Sequence, residues 1–267
     1  MPQLVICDID ATLVNEKKEI TPRTKEALIK LHEKGIYFGI ASGRPVDELK
    51  RNKERWDLPF DFDFVMGMNG AELWDGVHQK FYSYFMMKKE WLKETMEIMN
   101  VVECNPMVYW KGKIRCVRID DWMIHSASTS HKELEIVRLE DLYANENAKI
   151  MFRMKEEDMS KAEAWVKEHP NPYYHGFKTQ TTLLEFCDKR INKGYGLQKI
   201  CELNDMDLKD IMAFGDTSND NEMLKVAGCG VCMINGTDDT KACANAITTY
   251  DNDHDGLAIY LEESEIV

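Results

Sequence analysis

Short apolar runs that each end in a small cluster of polar residues constrain the fold of this chain more than any other feature. The runs cover residues 4–7, 36–41, 64–66, 211–214 and 230–233. Continuous apolar runs are typical of strands that are buried on both faces of a parallel sheet. A helix is predicted between the first two runs, because Thr21 is a suitable N-cap, Pro22 suits the first turn and Gly35 suits the terminus. Strands that alternate with helices predict an α/β fold with a parallel sheet.

The alternating pattern breaks off in the middle of the chain and then returns. Asp75-Gly76 and Lys111-Gly112 each separate two short strand-like segments, which predicts two hairpins. Residues 85–187 carry strands and helices in a mixed order, and strand–helix alternation resumes after them. We therefore predict a Rossmann-like α/β core with a parallel sheet, formed by residues 1–84 and 188–267, and an α+β domain inserted between its two parts.

Net charge and cysteine usage disfavour several classes of protein. The formal net charge is −13 and the basic residues form no stripe, so we expect no nucleic-acid partner. No apolar run approaches the roughly 18 residues that a membrane span needs, and the amino terminus lacks the pattern of a secretory signal. Cys229 and Cys232 form one C-x-x-C pair, but no second pair follows at zinc-ligand spacing. We therefore expect buried free thiols in a cytoplasmic protein that has no membrane partner.

Polar clusters stand where open α/β sheets bind their ligands, at the carboxyl ends of strands and the starts of helices. They are Asp8 and Asp10 after the first run, Ser42-Gly43 after the second, Lys193-Gly194 at a predicted helix start, and Asp216 and Asp220 after the fourth run. Each cluster alone is ordinary in a turn, on a surface or at a helix cap, but together they predict an anion site. Converging carboxylates need a cation to offset their repulsion, and hard oxygen ligands favour Mg²⁺.

Short motifs along the chain carry a specific resemblance. They are Asp8-x-Asp10-x-Thr12-Leu13, Ala41-Ser42-Gly43-Arg44, Asn69-Gly70-Ala71, Asn192-Lys193-Gly194 and Gly215-Asp216-x-x-Asn219-Asp220. With these motifs the chain resembles the haloacid dehalogenase-like superfamily, and in particular the Cof-like phosphatases, which carry a large type IIB cap. The resemblance covers nearly the whole chain. It implies a Mg²⁺-dependent phosphatase that hydrolyses small phosphate monoesters through an aspartyl-phosphate intermediate.

The resemblance also implies roles for individual residues. Asp8 would be the nucleophile, and Asp10 would act as general acid and then as general base, a role that favours a raised pKa. The metal ligands would be the Asp8 carboxylate, the Asp10 backbone carbonyl and the Asp216 carboxylate, with support from Asp220. The phosphoryl oxygens would be held by Ser42, Lys193, Asn219 and the backbone N–H groups of Ile9 and Gly43.

The inserted domain would cover the site and select the leaving group. Its candidate contacts to the leaving group are Arg115, Arg118, His125, His175, Lys178 and Glu185. The partner would be a small phosphorylated metabolite, and sugar phosphates, sugar-alcohol phosphates, nucleotides and pyridoxal phosphate all remain open. We expect a monomer, because the inserted domain would already shelter the site.

The chain departs from the family pattern at Ala11, where the family usually has glycine. If the backbone needs a positive φ at this position, alanine is strained by roughly 1–2 kcal/mol. The methyl group also lies beside the nucleophile and could narrow the approach to the site. Two alternatives stand beside the phosphatase: a phosphotransferase or mutase of the same fold and, because of Ala11, a binding protein with weak catalysis.

Overall fold

The structure, a computed structural model, describes all residues from 1 to 267. Its strands are β1 (Leu4–Asp8), β2 (Tyr37–Ala41), β3 (Phe64–Gly67), β4 (Glu72–Asp75), β5 (Lys80–Ser83), β6 (Cys104–Trp110), β7 (Lys113–Cys116), β8 (Glu133–Ile136), β9 (Lys149–Met154), β10 (Tyr174–Gln180), β11 (Leu183–Asp188), β12 (Ile211–Gly215), β13 (Cys229–Cys232) and β14 (Ala246–Ile247). Its helices are α1 (Pro22–Glu33), α2 (Val46–Leu49), α3 (Asn52–Arg55), α4 (Lys89–Met99), α5 (Asp121–Ser130), α6 (Leu139–Leu142), α7 (Glu156–Glu168), α8 (Lys193–Leu203), α9 (Asn221–Val226), α10 (Asp238–Cys243) and α11 (Gly256–Glu263).

The chain divides into two compact units. The core unit contains residues 1–82 and 191–267, and the inserted unit contains residues 83–190. The sequence interpretation put the second boundary after residue 187, whereas β11 continues to Asp188 and the Arg190 side chain turns back to bond its carboxylate at 2.8 Å. The architecture is a Rossmann-like α/β core with an inserted α+β domain, in agreement with the predicted fold class.

The core unit is built on a sheet in which the predicted parallel strands are neighbours. Its order is β14-β13-β12-β1-β2-β3-β4-β5, and every pair from β14 to β3 is parallel. The β3–β4 pair is antiparallel, and β4 lies beside β5, as expected for a hairpin at Asp75-Gly76. In the register, Asp8 of β1 lies beside Ala41 of β2, while Cys7 lies beside Phe214 of β12. These three strands therefore end nearly level, which brings the polar residues after them to one edge.

Apolar burial holds the core strands in place. All residues of β1 are buried, as the continuous run 4–7 predicted. The predicted helix signals are confirmed in α1, where the Thr21 hydroxyl accepts a hydrogen bond from the Thr24 N–H and Pro22 occupies the first turn. Gly35 follows the helix with φ of 71°, a conformation that glycine adopts without steric cost.

The inserted unit has its own sheet and its own hydrophobic core. The sheet order is β10-β11-β9-β6-β7-β8, antiparallel throughout except for the parallel β7–β8 pair. One face carries Val108, Phe152 and Phe186, which form a buried cluster with residues of α4 and α7. Lys111 and Gly112, with φ of 48° and 80°, form the two-residue turn of the β6–β7 hairpin that the sequence predicted.

The state of the cysteines and the character of the helices bear on two expectations from the sequence. All eight cysteines are free thiols, and Cys229 and Cys232 both lie in β13. Cys232 is buried and Cys229 is partly exposed, so the expectation of buried thiols is confirmed for only one residue of the pair. None of the helices combines the length and the apolar character that a bilayer crossing requires.

Candidate active site

Three carboxylates converge at the edge of the core sheet. Asp8 is the last residue of β1, Asp216 follows β12, and Asp220 ends a 3₁₀ turn just before α9. One oxygen from each carboxylate lies within 4.8 Å of the other two. Asp220 is fully buried and Asp8 is only 7% exposed, so water screens their repulsion poorly. The topology therefore concentrates negative charge where the sequence predicted a metal.

The Lys193 ammonium group is the cation that this cluster contains. It lies at the start of α8, is fully buried, and donates hydrogen bonds to Asp8 Oδ1 and, at 2.6 Å, to Asp220 Oδ1. Burial acts to lower the pKa of Lys193, but the charges of Asp220 and Asp8 outweigh it and raise that pKa. Lysine is therefore held in its charged form, but it offsets only one of the three negative charges.

The pKa values of the carboxylates show the remaining imbalance. Burial raises the pKa of Asp8 well above its usual range, although Lys193 acts against this. Burial and the Asp220 charge raise the pKa of Asp216 to about 6, although the Thr12 hydroxyl donates to its Oδ1 at 2.9 Å. Carboxylates with such raised pKa values gain from a bound cation. Their hard oxygen donors fit a divalent ion such as Mg²⁺.

Asp220 has both of its oxygens engaged by the protein. Lys193 donates to Oδ1, while the N–H groups of Asp216 and Thr217 donate to Oδ2 at 3.0 and 3.2 Å. A Cβ on Gly215 would lie 2.5 Å from the Asp220 Cβ, so only glycine leaves room for this packing. Asp220 therefore fixes both the lysine and the turn that carries Asp216.

Asp10 has a different environment from the other three acids. Its side chain is 40% exposed and accepts hydrogen bonds from Lys18 Nζ at 2.8 Å and from Arg44 Nη2 at 3.1 Å. Burial raises the pKa of Asp10, but Arg44 and Lys18 outweigh it and the net shift is downward. The raised pKa that its predicted role favours is therefore not found in this arrangement, because two cations stabilise the charged form.

The predicted phosphate-binding residues of the core unit lie around the same strand ends. Ser42 follows β2 and is buried, and its hydroxyl accepts from the Arg44 N–H at 3.3 Å. The Ile9 carbonyl accepts from the N–H groups at positions 13 and 14, which closes a turn directly after β1. Gly43 continues from Ser42, and Asn219 is exposed within the 3₁₀ turn before α9.

Sequence reasoning gave no role to several residues that contact this site. They are Thr12 on Asp216, Lys18 and Arg44 on Asp10, Asn69 on Asn219, and Asn235 on the Ala11 carbonyl. Thr12, Arg44 and Asn69 belong to the recognised motifs, so their positions carried a signal. Lys18 and Asn235 carried none, because only folding brings them to Asp10 and Ala11.

The backbone at Ala11 has a positive φ, the condition under which the sequence predicted strain at this alanine. Its φ is 59°, in the left-handed region that alanine rarely adopts. The Asn235 side chain donates to its carbonyl at 2.8 Å, which holds the peptide in this orientation. The turn after Asp8 is therefore under backbone strain.

The six candidates of the inserted unit lie on several different elements. Five of them have a polar partner within that unit: Arg115 pairs with Glu135, Arg118 with Asp120, His175 with Cys187, Lys178 with Glu163 and Glu185 with Lys149. The sixth, His125, is exposed on α5. Glu185 and Lys149 form a buried ion pair of 2.8 Å, so Glu185 supports the sheet between β9 and β11.

Comparisons with known proteins agree with this geometry. A family model described as haloacid dehalogenase-like hydrolase matches residues 5–261. A 5-amino-6-(5-phospho-D-ribitylamino)uracil phosphatase of Bacillus subtilis is 28% identical and is matched over 98% of this chain and 97% of its own length. A crystal structure of a haloacid dehalogenase-like hydrolase from Bacteroides thetaiotaomicron superposes with a TM-score of 0.88 and 25% identity, covering 99% of this chain and 100% of that one.

A subclass IIB sugar phosphatase of the same superfamily shares the fold. It superposes with a TM-score of 0.83 and 24% identity, over 99% of this chain and 100% of its own. The match extends across both units of the chain.

Proposed function

Because the chain belongs to the haloacid dehalogenase-like hydrolases, we propose that it is a Mg²⁺-dependent phosphatase of small phosphate monoesters that acts through an aspartyl phosphate. One observation carries the proposal: Asp8, at the end of β1, lies in a buried cluster with Asp216, Asp220 and Lys193. A nucleophile, a charge-neutralising lysine and a pair of further acids are the parts that phosphoryl transfer through a carboxylate requires.

In the first step, an Asp8 carboxylate oxygen attacks phosphorus while the bond from phosphorus to the ester oxygen breaks. The leaving alkoxide takes a proton from Asp10, and the phosphoryl group remains on Asp8. In the second step, Asp10 removes a proton from water, whose oxygen attacks phosphorus while the bond between Asp8 and phosphorus breaks, and inorganic phosphate is released. Asp8 is then a free carboxylate again, and Asp10 carries the proton for the next cycle.

Asp10 would change its protonation state during this cycle. Lys18 and Arg44 favour its carboxylate form, which suits the base of the second step. In the first step, the dianionic phosphate would lie beside Asp10, and a nearby negative charge raises the pKa of a carboxyl group. The two cations would also offset the charge of the bound phosphate ester, because both already lie at this carboxylate.

The Asp8 and Asp216 carboxylates and the Asp10 backbone carbonyl would hold Mg²⁺. Their hard oxygen donors fit this ion, which when bound reduces the repulsion between Asp8 and the phosphate dianion. Asp220 would support the site indirectly, because its oxygens already bond Lys193 and two backbone N–H groups.

The phosphoryl oxygens would be bound by donors on four segments of the core unit. They are the Ser42 hydroxyl, the Lys193 ammonium group, the Asn219 amide and the backbone N–H groups of Ile9 and Gly43. Donors that are already fixed before the reaction stabilise the charge of the transition state without further reorganisation. The hydrogen bond from Ser42 N–H to Met66 O, 2.9 Å long, supports such fixed positions.

The inserted unit, residues 83–190, would act as a cap that excludes water and selects the leaving group. Small phosphorylated metabolites are the proposed substrates, and the ribitylamino-pyrimidine phosphate named for the Bacillus relative is one candidate class. We also propose a monomeric, cytoplasmic protein without nucleic-acid or membrane partners. The free thiols support a cytoplasmic location, and the net charge of −13 disfavours a nucleic-acid partner.

Phosphate release from a panel of esters tests the proposal. The panel contains sugar phosphates, sugar-alcohol phosphates, nucleotides, pyridoxal phosphate and an aryl phosphate, each with Mg²⁺ and with chelator. We expect release that needs Mg²⁺ and that is lost in Asp8→Asn. The matched control is Asp61→Asn, since this side chain is 85% exposed and pairs with Lys53. Full turnover in Asp8→Asn would overturn the aspartyl-phosphate mechanism, and transfer of phosphate to an added sugar in place of water would indicate a transferase.

A further inference from the structure

The turn that follows β3 has an unusual backbone. Met68, Asn69 and Gly70 have successive φ values of 51°, 54° and 103°. Residues other than glycine rarely adopt such angles, and they keep them only where the surroundings enforce them. Asparagine is among the residues that tolerate this region, and it also carries an amide. A strained turn of this kind indicates that its position matters more than its own stability.

Backbone contacts bind this turn to two segments of the proposed phosphate site. The Asn69 N–H donates to the Ser42 carbonyl at 3.0 Å, and the Met68 N–H donates to the Arg44 carbonyl at 2.9 Å. On its other side, Gly70 lies against the residue that caps α8. A Cβ on Gly70 would lie 2.5 Å from the Asn192 carbonyl oxygen, so the approach requires glycine. The turn thus lies between the Ser42 segment and the start of the helix that carries Lys193.

The Asn69 side chain contacts Gly43, which directly follows Ser42, and Asn219, which belongs to a third segment of the proposed site. A Cβ on Gly43 would lie 3.4 Å from both Asn69 Nδ2 and Asn69 Oδ1, so the amide packs directly over that glycine. Asn69 Oδ1 accepts a hydrogen bond from Asn219 Nδ2 at 3.5 Å, the outer limit for such a bond. Asn219 is itself exposed. Without this acceptor, its amide would be free to rotate in water.

We infer that Asn69 is a positioning residue of the phosphate site, which orients the Asn219 amide so that its second N–H meets a phosphoryl oxygen. This inference rests on the proposed function, which places Asn219 at the phosphate. An amide that is already oriented loses less rotamer freedom when the anion binds, and this raises the affinity. With this left-handed backbone, the Asn69 side chain lies against Gly43 and within hydrogen-bonding distance of Asn219.

A double-mutant cycle tests the inference. Asn69→Gly keeps a backbone that tolerates the left-handed turn and removes the amide, while Asn219→Ala removes the residue through which Asn69 acts. The probe is inorganic phosphate with Mg²⁺, measured by calorimetry, together with kcat and KM for the best ester. We expect Asn69→Gly to weaken phosphate binding by up to about tenfold, because the Asn219 side chain must then be ordered when the anion binds. In the Asn219→Ala background, Asn69→Gly should not weaken phosphate binding any further.

The matched control is Asp205→Gly. Asp205 is also left-handed, with φ of 51°, but it is exposed and lies just past the opposite end of α8 from Lys193. This variant should bind phosphate like the native protein. Melting temperatures of all variants show whether the fold is retained.

The possible outcomes separate the inference from the proposed function. Additive effects of Asn69→Gly and Asn219→Ala would overturn the inference, as would unchanged phosphate binding in Asn69→Gly. If Asn69→Gly lowers the melting temperature and still weakens phosphate binding in the Asn219→Ala background, Asn69 has a purely structural role. A native protein that binds phosphate but hydrolyses no ester would remove the phosphatase proposal, while the binding cycle would still decide the role of Asn69.

Discussion

Replacing Ala11 with glycine should stabilise the protein. Ala11 has φ of 59°, and the Asn235 amide donates to its carbonyl at 2.8 Å, which helps to hold the turn in this conformation. The left-handed backbone costs alanine about 1–2 kcal/mol, and glycine removes that cost. Glycine also increases the entropy of the unfolded chain, which costs about 0.4–1 kcal/mol. The difference is a gain of about 0.8 kcal/mol, within a range from about zero to 1.6 kcal/mol.

Urea unfolding followed by circular dichroism measures this gain. With a slope of about 3 kcal/mol per molar urea, 0.8 kcal/mol moves the midpoint upward by about 0.3 M. The matched control is Ala244→Gly, because Ala244 is partly buried and has φ of −85° and ψ of 154°, angles that suit alanine. There the substitution only loosens the unfolded chain, so we expect a loss of about 0.4–1 kcal/mol.

The comparison between the two variants decides the argument. If Ala11→Gly destabilises the protein as much as Ala244→Gly does, the reasoning from backbone strain is wrong. The same variant tests whether the methyl group limits catalysis. Turnover that rises well above that of the native protein would show that Ala11 makes this chain a weak catalyst, and unchanged turnover would remove that alternative.

The remaining predictions concern charge at two buried places. Lys193→Met should destabilise the protein by about 3–5 kcal/mol in chelator, because Asp8 and Asp220 lose their only buried cation, and Mg²⁺ should restore part of the loss. Urea midpoints with and without Mg²⁺ check this, and equal stability in chelator would contradict it. Burial acts to raise the pKa of Asp188, but hydrogen bonds from Arg190 outweigh it and lower that pKa. The ionised Asp188 therefore stabilises the fold above its unfolded pKa of about 3.9, and this stabilisation is lost as pH falls through its lower folded pKa. Arg190→Met should therefore lower the free energy of unfolding more at pH 7 than at pH 3. A loss that is equal at both pH values would rule this out.

Local sequence determined most of the core architecture. The apolar runs at 4–7 and 211–214 became neighbouring parallel strands, because residues without a polar face must be buried on both sides. The helix α1 begins and ends near its predicted signals, since caps act through atoms only a few residues apart. The helix α8 begins at Lys193, where the sequence predicted a helix start, and Asn192 caps it by accepting from the Tyr195 N–H at 2.8 Å.

The motif residues likewise lie together at one sheet edge, because parallel strands end on the same side. What they could not fix is how charges act on one another, since Coulomb interactions depend on distances that only the folded chain sets. Lys193 reaches Asp8 across a sequence separation of 185 residues. Lys18 and Arg44 reverse the direction of the pKa shift expected for Asp10. The sequence by itself thus determined the core strands and the insertion and predicted the residues of the candidate site, while the tertiary structure decided which groups share charge and which turns are strained.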